Sequence, residues 1–372
     1  MKNNPLTPAP PRPKRILVSP LDWGLGHATR CIPLIRELRL LGCEVLIGAE
    51  GAQAALLQQE FPDAVVLPLP GYHISYSPAA SGFGVKMVLQ LPRMGKAVRL
   101  ENRWLKKMVL LHRIDAVISD NRFGLHHPGI PCVIMTHQLR VRSPFGRRGQ
   151  RALQKVNYYH IGKFDACWVV DFEGPANLAG ALSHPEKMPR NAVRYIGGLS
   201  RFHYRDATET EPLYDLLALI SGPEPQRTFF EDLLLEQLSV SDSKALIVTG
   251  QPVSVSDRMV TEKIRRVHHL DADALNEAIL RSSMIVCRSG YSSVMDLIKL
   301  RKKAILVPTP GQTEQEYLGD YLMGKGYFPC FAQKDFNIRD ALQQASVFPY
   351  GLPSSMPMDI YKPILNEFVQ RL

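Results

Sequence analysis

Short runs of almost unbroken apolar residues recur along nearly the whole chain, with amphipathic stretches between them. This alternation constrains the fold more than any single motif. In the first half the runs are RILVS (15–19), EVLIG (44–48), AVVLP (64–68), DAVIS (115–119), PCVIM (131–135), ACWVV (166–170) and VRYIG (193–197). Helix-like segments intervene at 28–41, 51–60, 85–112 and 147–163. A strand that is apolar on both sides must be covered on both sides, and helices joining successive strands supply that cover, so the pattern predicts a parallel sheet.

The stretch 201–212 is polar and aperiodic and reads as a linker. Beyond it the alternation restarts, with runs at 215–221, 245–250, 264–270, 283–287, 303–308 and 327–331. Helices are expected at about 226–238, 273–281, 291–300, 313–325 and 336–345, and an amphipathic segment at 359–372 closes the chain. The expected fold class is therefore α/β, with two Rossmann-like domains and a central cleft. Residues 1–14, proline-rich and polar, read as a disordered leader, 15–200 as the first domain, and 213–372 as the second with a terminal helix. Two domains suit a chain of 372 residues.

The net charge of +10 is unevenly spread: residues 1–200 carry +13 and residues 201–372 carry −3. A basic half points to an anionic ligand or surface. Residues 82–113 hold eight Lys or Arg and one acid, Glu101, mixed with Trp104, Leu105 and other apolar residues, and 140–155 form a second basic cluster. This mixture fits docking on an anionic membrane surface. A nucleic-acid partner is not expected, because no RNA-binding aromatic motif or helix-turn-helix pattern accompanies the charge. The six cysteines lack zinc or redox spacing and read as free thiols of a reducing compartment. No apolar run reaches the length of a membrane span, and the N-terminal stretch lacks the apolar region of a secretory signal. The expectation is a cytoplasmic protein, peripheral at the inner face of the plasma membrane if the basic face docks there.

Three turns carry the chemistry. The first is LDWGLGHATR (21–30), where Gly24 and Gly26 allow a tight turn and close approach before a helix. A helix N-terminus favours anions and lowers the pKa of a histidine, so His27 is a candidate base, with Asp22 a second. The second is RSGYSSVMD (288–296), a strand end followed by a hydroxyl-rich helix start with Asp296 further in. The third is TPGQTEQE (309–316), where Thr313 and Glu316 have capping-box spacing and Gln315 and Glu316 suit sugar hydroxyls.

These residues resemble the GT-B glycosyltransferases, in particular the MurG family of N-acetylglucosaminyltransferases, from about Arg15 to Tyr327. The resemblance is sharpest over RSGYSSVMDLIKLRKKAILVPTPGQTEQEYLGDYL (288–322). It implies a UDP-sugar held by Arg288, Ser289, Gly290, Ser292, Ser293 and Asp296, with Gln315 and Glu316 at the sugar. It further implies that Gly24, Gly26 and His137 lie on the acceptor side. The loop SGPEPQR (221–227) departs from the glycine- and serine-rich loop of that family, keeping Gly222 and Arg227 as candidate donor contacts. This sets the chain apart from MurG itself.

The expected activity is transfer of an N-acetylhexosamine or hexose from a UDP-sugar to an acceptor hydroxyl, with inversion, the acceptor being free or lipid-linked. His27 or Asp22 is the base and Arg288 meets the leaving diphosphate. No cofactor or metal is expected beyond the UDP-sugar co-substrate. The alternatives are a nucleotide-sugar epimerase or hydrolase of the same fold, and a non-catalytic surface-binding protein with a degenerate site.

Overall fold

A computed structural model describes residues 12–72, 83–141, 146–205, 211–250, 258–353 and 356–372, with backbone alone for 83–92 and Arg147. Most of the expected leader, residues 206–210 of the linker and parts of both basic segments lie outside the described residues. Residues 12–14 belong to the fold rather than to a leader: Arg12 forms an ion pair with Asp115 at 2.7 Å.

The first domain comprises β1 (Arg15–Pro20), α1 (Leu25–Leu40), β2 (Glu44–Ala49), α2 (Gly51–Glu60), β3 (Val65–Pro68), α3 (Phe83–His112), β4 (Ala116–Asp120), β5 (Cys132–Thr136), α4 (Gly146–Ile161), β6 (Ala166–Val169) and β7 (Ala192–Tyr195). Its seven strands are all parallel, in the order β3-β2-β1-β4-β5-β6-β7. The second comprises β8 (Tyr214–Leu219), α5 (Gln226–Ser239), β9 (Ala245–Val248), β10 (Arg258–Met259), β11 (Ile264–Val267), α6 (Ala272–Leu280), β12 (Ser282–Cys287), α7 (Tyr291–Lys299), β13 (Ala304–Leu306), α8 (Thr313–Gly324), α9 (Ile338–Val347) and α10 (Tyr361–Gln370). Its sheet runs β10-β11-β9-β8-β12-β13, antiparallel only at the two-residue β10.

Both sheets reverse their winding once. In the first the reversal falls between β1 and β4, and in the second between β8 and β12. Ligands of open α/β sheets bind beyond the carboxyl ends of strands at such points. The turns singled out in the sequence follow β1, β8, β12 and β13, so three of the four lie on strands that flank a reversal.

Three local expectations are corrected. The run 327–331 forms no strand, only a bridge between Cys330 and Leu306; Pro329 has no N–H to extend the ladder. Helix α1 begins at Leu25, so Gly26 and His27 sit inside its first turn and Gly24 is its N-cap, with φ 88°. The terminal helix α10 closes on the first domain: Arg194 pairs with Glu367 at 2.5 Å, and Phe368 packs edge-on against Trp168. The apolar face of α10, with Ile364 and Leu365 buried, meets the same cluster as Ile32 and Ile35 of α1 and Val294 and Met295 of α7. One apolar core thus runs through both domains, and burial of this kind is the main stabilising term holding them together.

Candidate functional site

Helix α1 aims its N-terminus at the N-terminus of α7. A Cβ on Gly26 would come within 2.7 Å of Ser292 Oγ, and that hydroxyl donates to the Gly26 carbonyl at 2.9 Å. Only glycine permits this approach, which joins the two domains at their helix starts.

Around it lies a chain of charged groups. Asp120, the last residue of β4, is wholly buried, and all of β4 is buried with it. Its Oδ2 lies 2.8 Å from His27 Nδ1 and accepts from Arg30 Nε at 2.7 Å. Arg30 also bonds Asp120 Oδ1 and approaches His137 Nδ1 at 3.1 Å. The other nitrogen of His137 reaches across the cleft to Glu314 Oε1 at 2.7 Å, and its ring stacks on Tyr291 of α7 at 4.3 Å. The chain therefore runs His27, Asp120, Arg30, His137, Glu314, from the first domain into the second.

Burial alone would raise the Asp120 carboxyl, but Arg30 and His27 overcome it and hold the group down at about 2. It is a carboxylate at neutral pH, without a hydrogen of its own to share. Arg30 Nη2, a donor, lies 2.9 Å from His27 Nδ1, but it also has Asp120 Oδ1 to donate to. A lone pair on Nδ1 facing the carboxylate at 2.8 Å would be repelled, and this favours the proton on Nδ1 and the lone pair on Nε2. Nε2 makes no hydrogen bond among the described residues. Burial lowers the His27 pKa and Arg30 adds to this, against the pull of Asp120. A neutral imidazole with a fixed tautomer and one free basic nitrogen is equipped to take a proton.

The other candidates separate into two groups. Gly290 caps α7 with open space where a Cβ would stand, and Ser293 lies partly exposed in the first turn. The first three N–H groups of such a helix have no partner within it and form an anion site. Asp296, two turns on, is tied to Ser200 at 2.5 Å, and burial pushes its carboxyl up to about 7. Gly222 lies exposed after β8 at φ 105°.

The second group is committed to scaffolding. Arg288, expected to face the diphosphate, is wholly buried; it donates to the carbonyls of Val307, Pro308 and Gln226 and lies 4.1 Å over the Phe230 ring. Burial drops its pKa to about 9. Ser289 donates to the Gln315 carbonyl at 2.7 Å. Gln315 and Glu316, expected at the sugar, accept from Thr309 N and Gly311 N, and the capping box does not form because Gln312 is the N-cap of α8. Arg227 pairs with Glu224 and Glu231. Glu224 also accepts from the Thr228 N–H and hydroxyl, so a carboxylate of the chain itself fills the start of α5. Asp22 packs its carboxylate against Gly71, where a Cβ would come within 2.2 Å of Oδ2. Apart from these candidates, Asp271 caps α6 by accepting from the Ala274 N–H at 2.7 Å, and Asp273 stands in its first turn.

Asp120, Arg30 and Glu314 were not distinguished by sequence reasoning. Asp120 gains meaning only once β4 is known to lie beside β1. Arg30 stands three residues after His27, on the same helical face, a spacing that could have flagged it.

Residues 235–346 match the C-terminal domain of glycosyltransferase family 28. The glycosyltransferase SnogD from Streptomyces nogalater superposes with a TM-score of 0.59, at 14% identity, covering 96% of this chain and 99% of that one. MurG of Acinetobacter baumannii superposes at 0.54 and 15% identity, covering 97% and 100%. The chain has the GT-B fold. An uncharacterized glycosyltransferase of Methanosarcina acetivorans is 22% identical over 325 residues, 84% of each chain. The five-residue charge chain therefore lies in the interdomain cleft of a GT-B protein, beyond the carboxyl ends of β4 and β5. Among the described residues no helix is long and apolar enough to cross a membrane.

Proposed function

We propose that this GT-B protein is an inverting glycosyltransferase that moves an N-acetylhexosamine or hexose from UDP to an acceptor hydroxyl. The observation that carries the reading is His27, whose Nδ1 is held by Asp120 while Nε2 stays free at the cleft, opposite the start of α7. Nε2 takes the proton of the acceptor hydroxyl as its oxygen forms a bond to the anomeric carbon. The bond from that carbon to the diphosphate oxygen breaks on the opposite face, and its electron pair leaves with UDP. The N–H groups of Tyr291, Ser292 and Ser293 meet the developing charge, a preorganised electrostatic role. This assigns the diphosphate to α7 rather than to α5, whose start Glu224 already occupies. Glu314, next to Gln315, is the carboxylate best set to accept from sugar hydroxyls, in exchange for His137. Asp296 accepts from the ribose.

The acceptor side belongs to the basic domain. On α3, Arg93, Lys96, Arg99, Arg103, Lys106 and Lys107 are exposed beside Leu100 and Leu110, while the acid Glu101 is buried and paired with Arg122 at 2.6 Å. A face with cations and apolar side chains outward and its one acid inward supports a lipid-linked acceptor taken at an anionic membrane.

Incubation with UDP-N-acetylglucosamine and UDP-glucose, with lipid-linked and free acceptors, tests this by UDP release. Acceptor-dependent release lost in H27A is expected. Release of free sugar at the same rate without any acceptor would count against transfer and favour hydrolysis.

A further inference from the structure

Residues 197–202 carry the chain away from β7, and two of them touch α7. Leu199 N–H donates to Met295 Sδ at 3.2 Å, and Ser200 Oγ lies 2.5 Å from Asp296 Oδ1. Phe202 N–H donates in turn to Ser200 Oγ at 3.2 Å. The hydroxyl therefore accepts from the linker backbone and has one hydrogen to give, which is directed at Asp296. Oδ1 is thereby committed, whereas Oδ2 makes no hydrogen bond among the described residues.

We propose that Ser200 is a positioning residue of the donor site: it orients Asp296 so that Oδ2 is presented to the ribose hydroxyls, and so makes the end of the first domain, where it enters the linker, part of that site. The inference rests on the donor reading above.

The groups facing Asp296 fix the expected pH behaviour. They are Ser200 at the end of the first domain, Arg201 at the start of the linker, and Cys287 at the end of β12. Arg201 is itself surrounded by Glu60 of α2, Arg36 of α1, and Asp271 and His269 before α6. Burial lifts the Asp296 carboxyl to about 7, and Ser200 and Arg201 oppose the lift. Losing the Ser200 hydroxyl removes one opposing contribution, so the carboxyl stays protonated to higher pH. A protonated Asp296 accepts less well from ribose, so nucleotide affinity rises with pH and the rise moves upward in the variant.

UDP calorimetry on wild type, S200A, S200T and D296N from pH 5.5 to 8.5 tests this, with thermal melts to show that each is folded. S200A is expected to bind UDP roughly tenfold more weakly at pH 7, the effect of one hydrogen bond to a charged group, with its midpoint displaced upward. S200T, which keeps the hydroxyl, is expected to restore both. Wild-type affinity and midpoint in S200A would overturn the proposal while leaving the donor site standing, provided D296N weakens UDP. A wild-type protein that ignores UDP overturns the donor reading and the proposal together.

Discussion

At His27 the chemistry depends on a neighbour ninety-three residues away in sequence. Replacing His27 by Ala removes the base, and kcat should fall roughly 10²–10⁴-fold while UDP affinity stays within about twofold; initial rates beside calorimetry check this. Replacing Asp120 by Asn does two things. It allows the His27 ring to take the other tautomer, and it leaves Arg30 buried without its counter-charge. The variant should lose activity and roughly 3–5 kcal/mol of stability in chemical denaturation, the cost of breaking a buried pair.

The sign of the pH dependence follows. Asp120 falls from an ordinary 3.8 to about 2 on folding, so its contribution is present above pH 4 and is lost as pH falls toward 2. Asp296 is the reverse. Its pKa rises to about 7, so the stability it supplies is complete below pH 4 and declines as pH rises through 7. D296N should therefore match wild type in thermal melts near pH 4 and exceed it at pH 8. Equal melting temperatures at both would contradict the burial of that carboxylate.

Among the elements, the facing starts of α1 and α7 are the most exacting. Ala at Gly26 would press its methyl on Ser292 Oγ, at a cost of roughly 1–3 kcal/mol, and Gly at Ser292 should relieve most of it. A double-mutant cycle by denaturation measures this coupling, and strictly additive losses would show that the two helices do not meet there. The elements themselves were largely legible in the sequence. Continuous apolar runs gave β1, β4 and β12, and the i, i+3, i+4, i+7 spacing of Tyr291, Val294, Met295 and Ile298 gave α7. Side-chain partners were not legible, because which residues meet depends on strand order and domain contact. The glycine turn and His27 were visible, but Asp120 and Glu314 were not. Arg288 was visible as a cation and misread, since a sequence does not tell a cation over carbonyls from one over phosphate.

On the scale of the whole molecule, one apolar core joins two sheets whose reversal points face a shared cleft. The basic face of α3 lies on one domain only, so membrane attraction should be electrostatic and directional. Co-sedimentation with vesicles containing anionic lipid should be strong at low ionic strength and decline by about 0.5 M salt, where the screening length is only a few ångströms. Binding that is indifferent to lipid charge would remove that face from the account. The central claim is that UDP lies with its diphosphate on the start of α7, opposite His27 Nε2. A crystal structure with UDP tests it most directly. Phosphate oxygens within hydrogen-bond distance of the N–H groups of Tyr291, Ser292 or Ser293, and ribose on Asp296, are predicted. UDP seated at the start of α5 after displacing Glu224, or absent from the cleft at saturation, would contradict it.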